Sequence, residues 1–453
     1  MRNTRRTTAV FGAIGVCAAM VLSVTSAYAD DQPKPSDVVG VGSDTVQYAS
    51  DFLADGSPGG AAGYNSSAIN RDVSFFATGD GNGRALYDST GQLLTGGNAG
   101  GGTTNLQGTT PVVLREGTKP VARPDGSGDG IGALIADSPG GVGYEGLPTN
   151  SIQYARASRL PKPIEQTNCG NVPIPSGGTT SGCGSLHVYQ FASDTLEIAK
   201  WSGGTSNSVP VSAATLLKIY TCDPTARTWN QVGGTSTDAI IPVIPQPGSG
   251  TRSFFEADIT ETDAQMVNAS NPTTGCVKVS EEHDPTGITH AALGSGAAGT
   301  GAADAIEPFS VGRALLAASG YFANSQEPAS DFAITLNTGC TVPSAWTTAG
   351  FTADQGFCGT SGGPANIPAN GGTPINAAFD SAPVYDSARG LYFIVREADV
   401  NSTTPMQSGG TKNFVATLFG NTSTSQIKKS SSAALIKAAF LVPAYADLAA
   451  AHS

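Results

Sequence analysis

The sequence predicts a loop-rich globular protein of the mixed α/β class. The chain has 453 residues, of which 58 are Gly and 28 are Pro, a share well above average usage. Short strand-like apolar runs alternate along the chain with modest helical segments, a pattern typical of α/β folds. At roughly 100–200 residues per domain, the chain is long enough for two domains.

Composition and charge exclude several classes of protein. Charged residues make up 13% of the chain and hydrophobic residues 39%, which excludes a charge-driven disordered chain and a polytopic membrane protein. The glycines follow no three-residue period, so a collagen-like repeat is also excluded. Acidic residues outnumber basic ones by 36 to 24, a balance that argues against a nucleic-acid-binding surface.

Residues 1–29 are predicted to be a cleaved signal peptide. Three arginines within the first six residues precede an apolar run that begins at Ala9, and Ala27-Tyr28-Ala29 forms a small-x-small cleavage site. A membrane anchor is the weaker interpretation, because small residues dilute the run. Cys17 follows Val16, where a lipoprotein signal requires a small residue. We therefore expect cleavage after Ala29 and a secreted, extracellular protein.

The cysteines of the mature chain indicate disulfide bonds. Six remain after removal of the signal peptide, an even number that is typical of an exported, disulfide-bonded protein. No C-x-x-C spacing is present and the chain has only 4 His, so no metal site is expected. Six cysteines allow 15 pairings, of which we favour the nearest-neighbour set: Cys169–Cys183, Cys222–Cys276 and Cys340–Cys358.

Three times along the chain, a strand-like run leads through Gly, Ser and Thr residues into a helical segment. The three turns are Gly42–Thr45, Gly126–Gly130 and Gly248–Thr251. Such a turn places backbone N–H groups, hydroxyls and the positive end of a helix dipole around one point, which suits an anion. One turn could simply cap a helix, but three indicate an anion site, and we expect them to converge. None carries the Lys of a nucleotide P-loop, which disfavours a nucleoside triphosphatase.

Six segments extend this pattern, and in their order along the chain they resemble a known family. They are Gly40–Val46 (family pattern G-x-G-x-T), Asp125–Ile131 (G-S-S-G-G), Tyr154–Pro161 (F-G-A-S-D-x-P-L), Leu216–Tyr220 with Thr228–Asn230 (L-x-x-I-F…W-N), Pro245–Thr251 (R-x-D-G-S-G-T) and Ala305–Ser310. The resemblance is to the phosphate-binding solute-binding proteins of ABC transporters, in the type II periplasmic binding protein superfamily, and to a divergent, secreted branch of the actinobacterial type. It covers about residues 37–320 and is looser beyond them.

The resemblance implies two α/β lobes that close on a ligand about a hinge. Lobe one would comprise residues 30–192 and 393–453, and lobe two residues 193–392. Phe191–Ile198 and Leu391–Val395 would be the crossover strands, and the Gly/Thr-rich stretches 57–108 and 286–304 would be insertions. Apolar spacing independently predicts a C-terminal helix at Ala433–Phe440, which Pro443 ends.

The resemblance also implies a non-catalytic protein that captures phosphate or a related tetrahedral oxyanion, without a cofactor. An ABC permease is the implied partner, and a monomer is expected. The implied ligand-binding residues lie on the motif loops: Ser43, Thr45, Val46, Ser127, Gly128, Ser158, Arg159, Ser249, Gly250, Thr251 and Arg252.

Two positions depart from the family pattern. Arg159 stands where the family has an Asp that accepts the proton of hydrogen phosphate, and Pro245 stands where it has an Arg. Arg159, with Arg252, would then supply the positive charge, because an Arg fork binds a tetrahedral oxyanion bidentately. The loss of the carboxylate would also remove the repulsion that rejects sulfate. The alternative is that Arg159 forms a solvated surface salt bridge.

Three other motifs suggest different chemistry. Asp125–Ile131 imitates the start of an EF-hand, but Ala136 replaces the bidentate Glu. Cys358–Gly363 is similar to a serine-hydrolase turn, without the strand–turn–helix context. Glu281–Asp284 fits either acid–base or metal chemistry, or a solvated charged turn.

Two functions of other classes stay open from the sequence. One is an exported hydrolase of phosphate esters, which would need a metal cluster or a nucleophile–base pair. The other is an adhesive or structural protein that keeps the fold and has lost the ligand.

Overall fold

The structure of the protein is a computed structural model. It describes residues 32–78, 111–179, 181–201, 209, 211–271, 274–284, 287–288, 303–318, 334–336, 385–400, 402 and 414–453. Several predictions fall outside these residues: the signal peptide, the Cys340–Cys358 disulfide, the turn at Cys358–Gly363, and most of the two Gly/Thr-rich insertions.

The strands within the described residues belong to one large sheet. They are β1 (Val38–Gly42), β2 (Asp72–Ser74), β3 (Tyr154–Ala157), β4 (Leu186–Trp201), β5 (Ala239–Pro245), β6 (Lys278–Ser280), β7 (Ala303–Ser310), β8 (Ile334–Leu336), β9 (Asp386–Arg396) and β10 (Val442–Asp447). Strand β1 is buried along its whole length, as expected for a parallel strand with helices on both faces.

The sheet joins two parallel parts through two long antiparallel strands. Its order is β2-β1-β3-β9-β4-β7-β5-β6, with β8 and β10 paired to β4. Strand β1 is parallel to β2 and β3, and β5 is parallel to β6 and β7. Strands β4 and β9 run antiparallel from Leu186 opposite Arg396 to Glu197 opposite Asp386. The two predicted crossover segments lie within these long strands, which extend through both parts of the sheet.

Helices connect and cover the strands. The described helices are α1 (Asp44–Asp55), α2 (Ser127–Ala136), α3 (Pro163–Gly170), α4 (Ala213–Tyr220), α5 (Gly250–Asp258), α6 (Asp263–Ala269), α7 (Val311–Ala318), α8 (Glu397–Val400), α9 (Phe414–Leu418) and α10 (Ser430–Ala438). None of these helices has the length and apolar character that crossing a membrane requires. The prediction of a mixed α/β fold is confirmed.

Two groups of core residues lie on the two sides of the long strands. On the side of β1–β3, Phe52, Tyr154 and Phe393 pack in one cluster. On the side of β5–β7, Leu216, Trp229 and Phe255 pack in another. Each part of the sheet therefore has apolar packing of its own, an arrangement that fits the predicted pair of lobes. The lobe boundaries stay a prediction.

The C-terminal segment follows its sequence pattern closely. The predicted helix at Ala433–Phe440 is α10, which begins at Ser430 and ends at Ala438. The chain then enters β10, where Pro443 pairs opposite Ala192 of β4. The lack of an N–H group on proline explains why the helix does not continue through this position.

Two of the three predicted disulfides are confirmed. Cys169 is bonded to Cys183 and Cys222 to Cys276, with sequence separations of 14 and 54 residues. The second bond joins the end of α4 to the segment before β6. It therefore closes the loop that contains β5, α5 and α6.

Removal of the Cys222–Cys276 bond is expected to destabilise the fold. A loop of 54 residues is constrained by this bond in the unfolded chain, so the variant Cys222→Ala/Cys276→Ala should lose about 2–4 kcal/mol of unfolding free energy. Urea denaturation without reductant measures the loss. An unchanged denaturation midpoint would contradict the expectation.

Candidate functional site

Three loops that are far apart in the sequence meet at one place. The loops before α1 and α5 bring the hydroxyl oxygens of Thr45 and Thr251 to 3.2 Å from each other. The loop before α2 joins them through a 2.9 Å hydrogen bond from Gly128 N to Gly248 O. The predicted convergence of the three turns is confirmed. The N-termini of α1, α2 and α5 consequently point to a common region.

Glycine is required where the loops approach each other. Gly248 has a φ of +92°, in the region that favours glycine. A Cβ atom on Gly250 would lie 2.2 Å from Ser127 Oγ and 2.4 Å from Ser158 Oγ. A side chain at Gly250 would therefore push the α5 loop away from the serines of the first part of the sheet.

The predicted serine residues divide between two roles. Ser158 Oγ lies 3.3 Å from both Ser43 Oγ and Ser127 Oγ. The three serine side chains form a buried cluster of hydroxyls beneath Gly250. Ser249 caps α5, since its Oγ accepts a 3.0 Å hydrogen bond from Arg252 N. Val46 packs its side chain into the core under α1, so only its backbone is available to a ligand.

The two arginines that the sequence suggests as charge donors are paired with nearby glutamates. Arg159 Nη1 and Nη2 donate to the two carboxylate oxygens of Glu165 at 2.8 and 2.7 Å. Arg252 Nε donates to Glu256 Oε1 at 2.8 Å. Both arginines are buried, with exposures of 7% and 4%, so the Arg159 pair is not a solvated surface salt bridge.

The guanidinium that contacts the threonine pair belongs to Arg389. Arg389 lies on β9, directly opposite Asp194 of β4. Its Nε and Nη2 donate to Asp194 Oδ2 at 3.2 and 2.9 Å. Nη1 donates to Thr251 Oγ1 at 2.5 Å, and Nη2 lies 3.4 Å from Thr45 Oγ1. A buried cation on β9 thus contacts hydroxyls from both parts of the sheet.

Glu281–Asp284 completes the site. Its interpretation as a solvated charged turn is wrong, because all four side chains are at most 1% exposed. Glu282 Oε1 accepts hydrogen bonds from Thr45 Oγ1 at 2.6 Å and from Thr251 Oγ1 at 2.5 Å. His283 Nε2 lies 2.9 Å from Thr45 Oγ1 and 3.2 Å from Thr251 Oγ1. The run follows β6 and turns back into the interior.

Buried carboxyl groups surround the hydroxyl pair. Gln246 Nε2 donates to Asp125 Oδ1 and Glu281 Oε1, each at 3.1 Å, and so bridges the two parts of the sheet. Burial raises the pKa of both carboxyls well above their usual range. Burial also raises the pKa of Asp44 to about 7, although Arg313 opposes the shift. These groups therefore carry less negative charge at neutral pH than the composition of the site suggests.

Stability is expected to fall as the pH rises from 5 to 7.5. Burial raises the folded-state pKa of Asp44 and of Asp72 to about 7 in each case, so between about pH 4 and 7 the folded chain binds more protons than the unfolded one. This stabilisation is present at low pH and is lost as the pH rises through about 7. The melting temperature should drop by at least about 4 °C over this range.

Thermal unfolding at constant ionic strength measures this effect. Asp72→Asn serves as the matched variant, since it removes one of the titrating groups, which accepts from Tyr154 Oη at 2.9 Å. Its melting temperature should depend less steeply on pH. A melting temperature that rises with pH in the parent protein would refute the assignment.

Four residues of the site are not among the predicted ligand-binding residues. Arg389, Asp194, Glu282 and His283 lie in none of the three turns. The only local signal was the run of four titratable residues at Glu281–Asp284, directly after the short strand β6. Among the described residues, no group of three or more His, Cys, Asp or Glu is arranged to hold a metal ion. This includes the EF-hand-like segment Asp125–Ile131.

Comparison with known proteins finds solved structures that are similar to this chain. No protein-family model matches the sequence, and a search of curated proteins finds no match. The chain is similar to an ABC-type phosphate transport receptor from Vibrio cholerae, at 16% identity and a TM-score of 0.42, over 90% of this chain and 100% of that one. It is also similar to a phosphate-binding protein from Stenotrophomonas maltophilia, at 12% identity and a TM-score of 0.43, over 90% and 91%.

A human phosphate-binding apolipoprotein is a further neighbour, at 14% identity and a TM-score of 0.40, over 90% of this chain and 91% of that one. The structural neighbours of the chain are thus phosphate-binding proteins, and the predicted branch within that family stays a prediction. Identities and TM-scores this low leave the ligand of this chain to be inferred from its own site.

Proposed function

We propose that the protein is a solute-binding protein that captures phosphate, or a related tetrahedral oxyanion, between the two parts of its sheet. One observation carries the proposal. Thr45 and Thr251, which are 206 residues apart, bring their hydroxyls from opposite parts of the sheet to the guanidinium of Arg389. Hydroxyls and a guanidinium fork are the groups that bind oxyanions in proteins.

The surrounding backbone supports an anion at this point. The helices α1, α2 and α5 have 12, 10 and 9 residues, and each begins within the converging loops. Their positive dipole ends and N–H groups favour negative charge. Proton retention by Asp44, Asp125 and Glu281, whose pKa values burial raises, limits the repulsion that these acids would exert on an anion.

Binding would exchange internal hydrogen bonds for bonds to the ligand. The Thr45 and Thr251 hydroxyls now donate to Glu282 Oε1, and they would donate to oxyanion oxygens in the complex.

The remaining proposed contacts come from the predicted loops: Ser43, Val46, Ser127, Gly128, Ser158, Ser249 and Gly250. Separation of the two halves by a small hinge movement about β4 and β9 would admit the ligand.

Arg389 is proposed as the principal cation of the site. Arg159 and Arg252 are held by Glu165 and Glu256, whereas Arg389 already donates to a hydroxyl of the site. Arg159 remains a proposed outer contact, because one of its Nη atoms lies 3.2 Å from the position of a Cβ atom on Gly128. It would then contribute its charge from the α2 side.

Glu282 is proposed to favour phosphate over sulfate. Its Oε1 accepts from both threonine hydroxyls and would face a ligand oxygen at the same point. Hydrogen phosphate can donate a proton to this acceptor, whereas sulfate at neutral pH has none to donate, so a lone pair would meet a lone pair. Glu282 would thus supply the hydrogen-bond acceptor that the family motif provides with an Asp, at the position where this chain has Arg159.

The wider role follows from this proposal. We propose a protein exported through its signal peptide and released as a monomer, with lobes at 30–192 plus 393–453 and at 193–392. It would deliver its ligand to an ABC permease and would carry out no chemical step.

Calorimetric titration of the mature protein with phosphate and with sulfate tests the function. Thr251→Val removes one hydroxyl at nearly constant volume and should weaken phosphate binding about tenfold or more, because a hydrogen bond to a charged ligand is lost. Thr167→Val is the matched control, since Thr167 bonds to Pro163 O on the exposed surface of α3. A parent protein that binds neither anion would refute the proposed function.

A further inference from the structure

The tautomer of His283 is determined by its backbone partner. His283 Nδ1 lies 3.1 Å from Ser310 N, which can only donate. Nδ1 must therefore be the unprotonated, accepting nitrogen, and the proton of the neutral ring is on Nε2. That nitrogen is the one that lies 2.9 Å from Thr45 Oγ1 and 3.2 Å from Thr251 Oγ1.

The surroundings hold the ring in this state. His283 has a φ of +61°, an uncommon conformation for a non-glycine residue that is typical of functional positions. The ring packs edge-on against Phe309, with centroids 5.0 Å apart. Burial, with Arg389 and Arg313 nearby, lowers the pKa of His283 well below its usual value, so the ring is neutral at physiological pH.

Arg389 Nη2 is a second donor beside His283 Nε2, so the position between the two atoms suits a hydrogen-bond acceptor. Arg389 Nη2 lies 3.4 Å from His283 Nε2. In the tautomer set by Ser310 both atoms carry hydrogens, so they do not bond to each other and both point to an acceptor. The threonine oxygens are the present acceptors. An oxyanion oxygen that reaches the Thr45–Thr251 pair would meet both donors.

We infer that His283 is a ligand-binding residue that contacts the oxyanion as a neutral Nε2–H donor, positioned by Ser310 N. The inference rests on the proposed function and adds to it a ligand contact outside the three loops. Ser310 is in turn held by Asp194, which accepts from Ser310 Oγ at 2.9 Å and also fixes Arg389. One buried carboxylate on β4 thus orients both a charged and an uncharged donor.

A pair of variants separates binding from packing. In His283→Gln, the side-chain amide nitrogen can reach the position of Nε2, so the donor is kept and the bond to Ser310 N is given up. In His283→Asn, the amide oxygen can accept from Ser310 N, but no donor reaches the threonines. Calorimetry with phosphate should show His283→Gln within about threefold of the parent and His283→Asn weaker by about tenfold or more.

Nitrogen NMR of histidine-labelled parent protein gives a readout that does not depend on the variants folding. The His283 ring should show the neutral Nε2–H tautomer at pH 7, and its Nε2 resonance should shift on phosphate saturation. A Nδ1–H tautomer, or no shift on saturation, would overturn the inference. If the parent protein binds phosphate, equal phosphate affinities of His283→Gln and His283→Asn would also overturn it. A parent that binds no phosphate refutes the proposed function and the inference together.

Discussion

Arg389→Gln is expected to weaken phosphate binding by at least about 100-fold. The guanidinium donates to Thr251 Oγ1 at 2.5 Å and lies 3.4 Å from Thr45 Oγ1, so it would contribute two charge-assisted bonds to an oxyanion at that point. Bonds to charged groups contribute about 1.5–3 kcal/mol each, and 100-fold corresponds to about 2.8 kcal/mol. Calorimetry with phosphate measures the loss.

Arg396→Gln is the matched control for this experiment. Arg396 lies on the same strand, is buried, and is paired with Asp399 through a 2.7 Å contact, away from the hydroxyl cluster. Its loss should lower stability and leave the phosphate affinity of the folded protein unchanged. If the two variants bind phosphate equally, Arg389 is a structural cation only.

Asp194→Asn is expected to destabilise the fold by about 3–5 kcal/mol. Asp194 is 2% exposed and forms the cross-strand ion pair with Arg389. Removal of one partner from a buried pair leaves an uncompensated charge in the interior, which is the costly change. The asparagine keeps the size of the side chain, so the loss of charge is the main difference. Urea denaturation of the variant and the parent measures the free energy.

The double variant Asp194→Asn/Arg389→Gln provides the decisive comparison. With both charges removed, no unpaired ion is left, so this protein should be more stable than Asp194→Asn alone. It should bind phosphate as weakly as Arg389→Gln, because the guanidinium is gone. Strictly additive losses of stability would show that the two residues act independently, contrary to their contact.

The two partners are brought together only by the register of the sheet. Asp194 and Arg389 are 195 residues apart. Neither residue lies in a sequence motif that marks it as part of a site. They face each other because the pairing of β4 and β9 shifts by one residue between Gln190 and Ala192, after which Ala192 lies opposite Leu391 and Asp194 opposite Arg389. Register depends on long-range backbone hydrogen bonds and on burial, so a shift of one strand by one residue would turn its side chain to the other face, away from its partner.

Local signals determined the parts of this protein that depend on local physics. The Gly/Ser/Thr turns were readable because glycine conformations and helix caps are decided within a few residues, and their presence at three helix starts predicted the convergence that Thr45 and Thr251 show. The Cys169–Cys183 and Cys222–Cys276 pairs followed from the nearest-neighbour spacing expected of an exported chain. The alternation of strand-like and helical runs predicted the mixed α/β class.

Charge and burial in the site were decided by the tertiary structure alone. The sequence could not show that Arg159 has Glu165 as its partner, or that Glu282 and His283 turn inward to the threonines. Whether a charged residue is solvated, paired or aimed at a ligand depends on which distant groups surround it, and its cost or benefit is electrostatic and non-local. The sequence therefore determined where the loops are, and the packing of β4, β9 and the Glu281–Asp284 turn decided which side chains give them their chemistry.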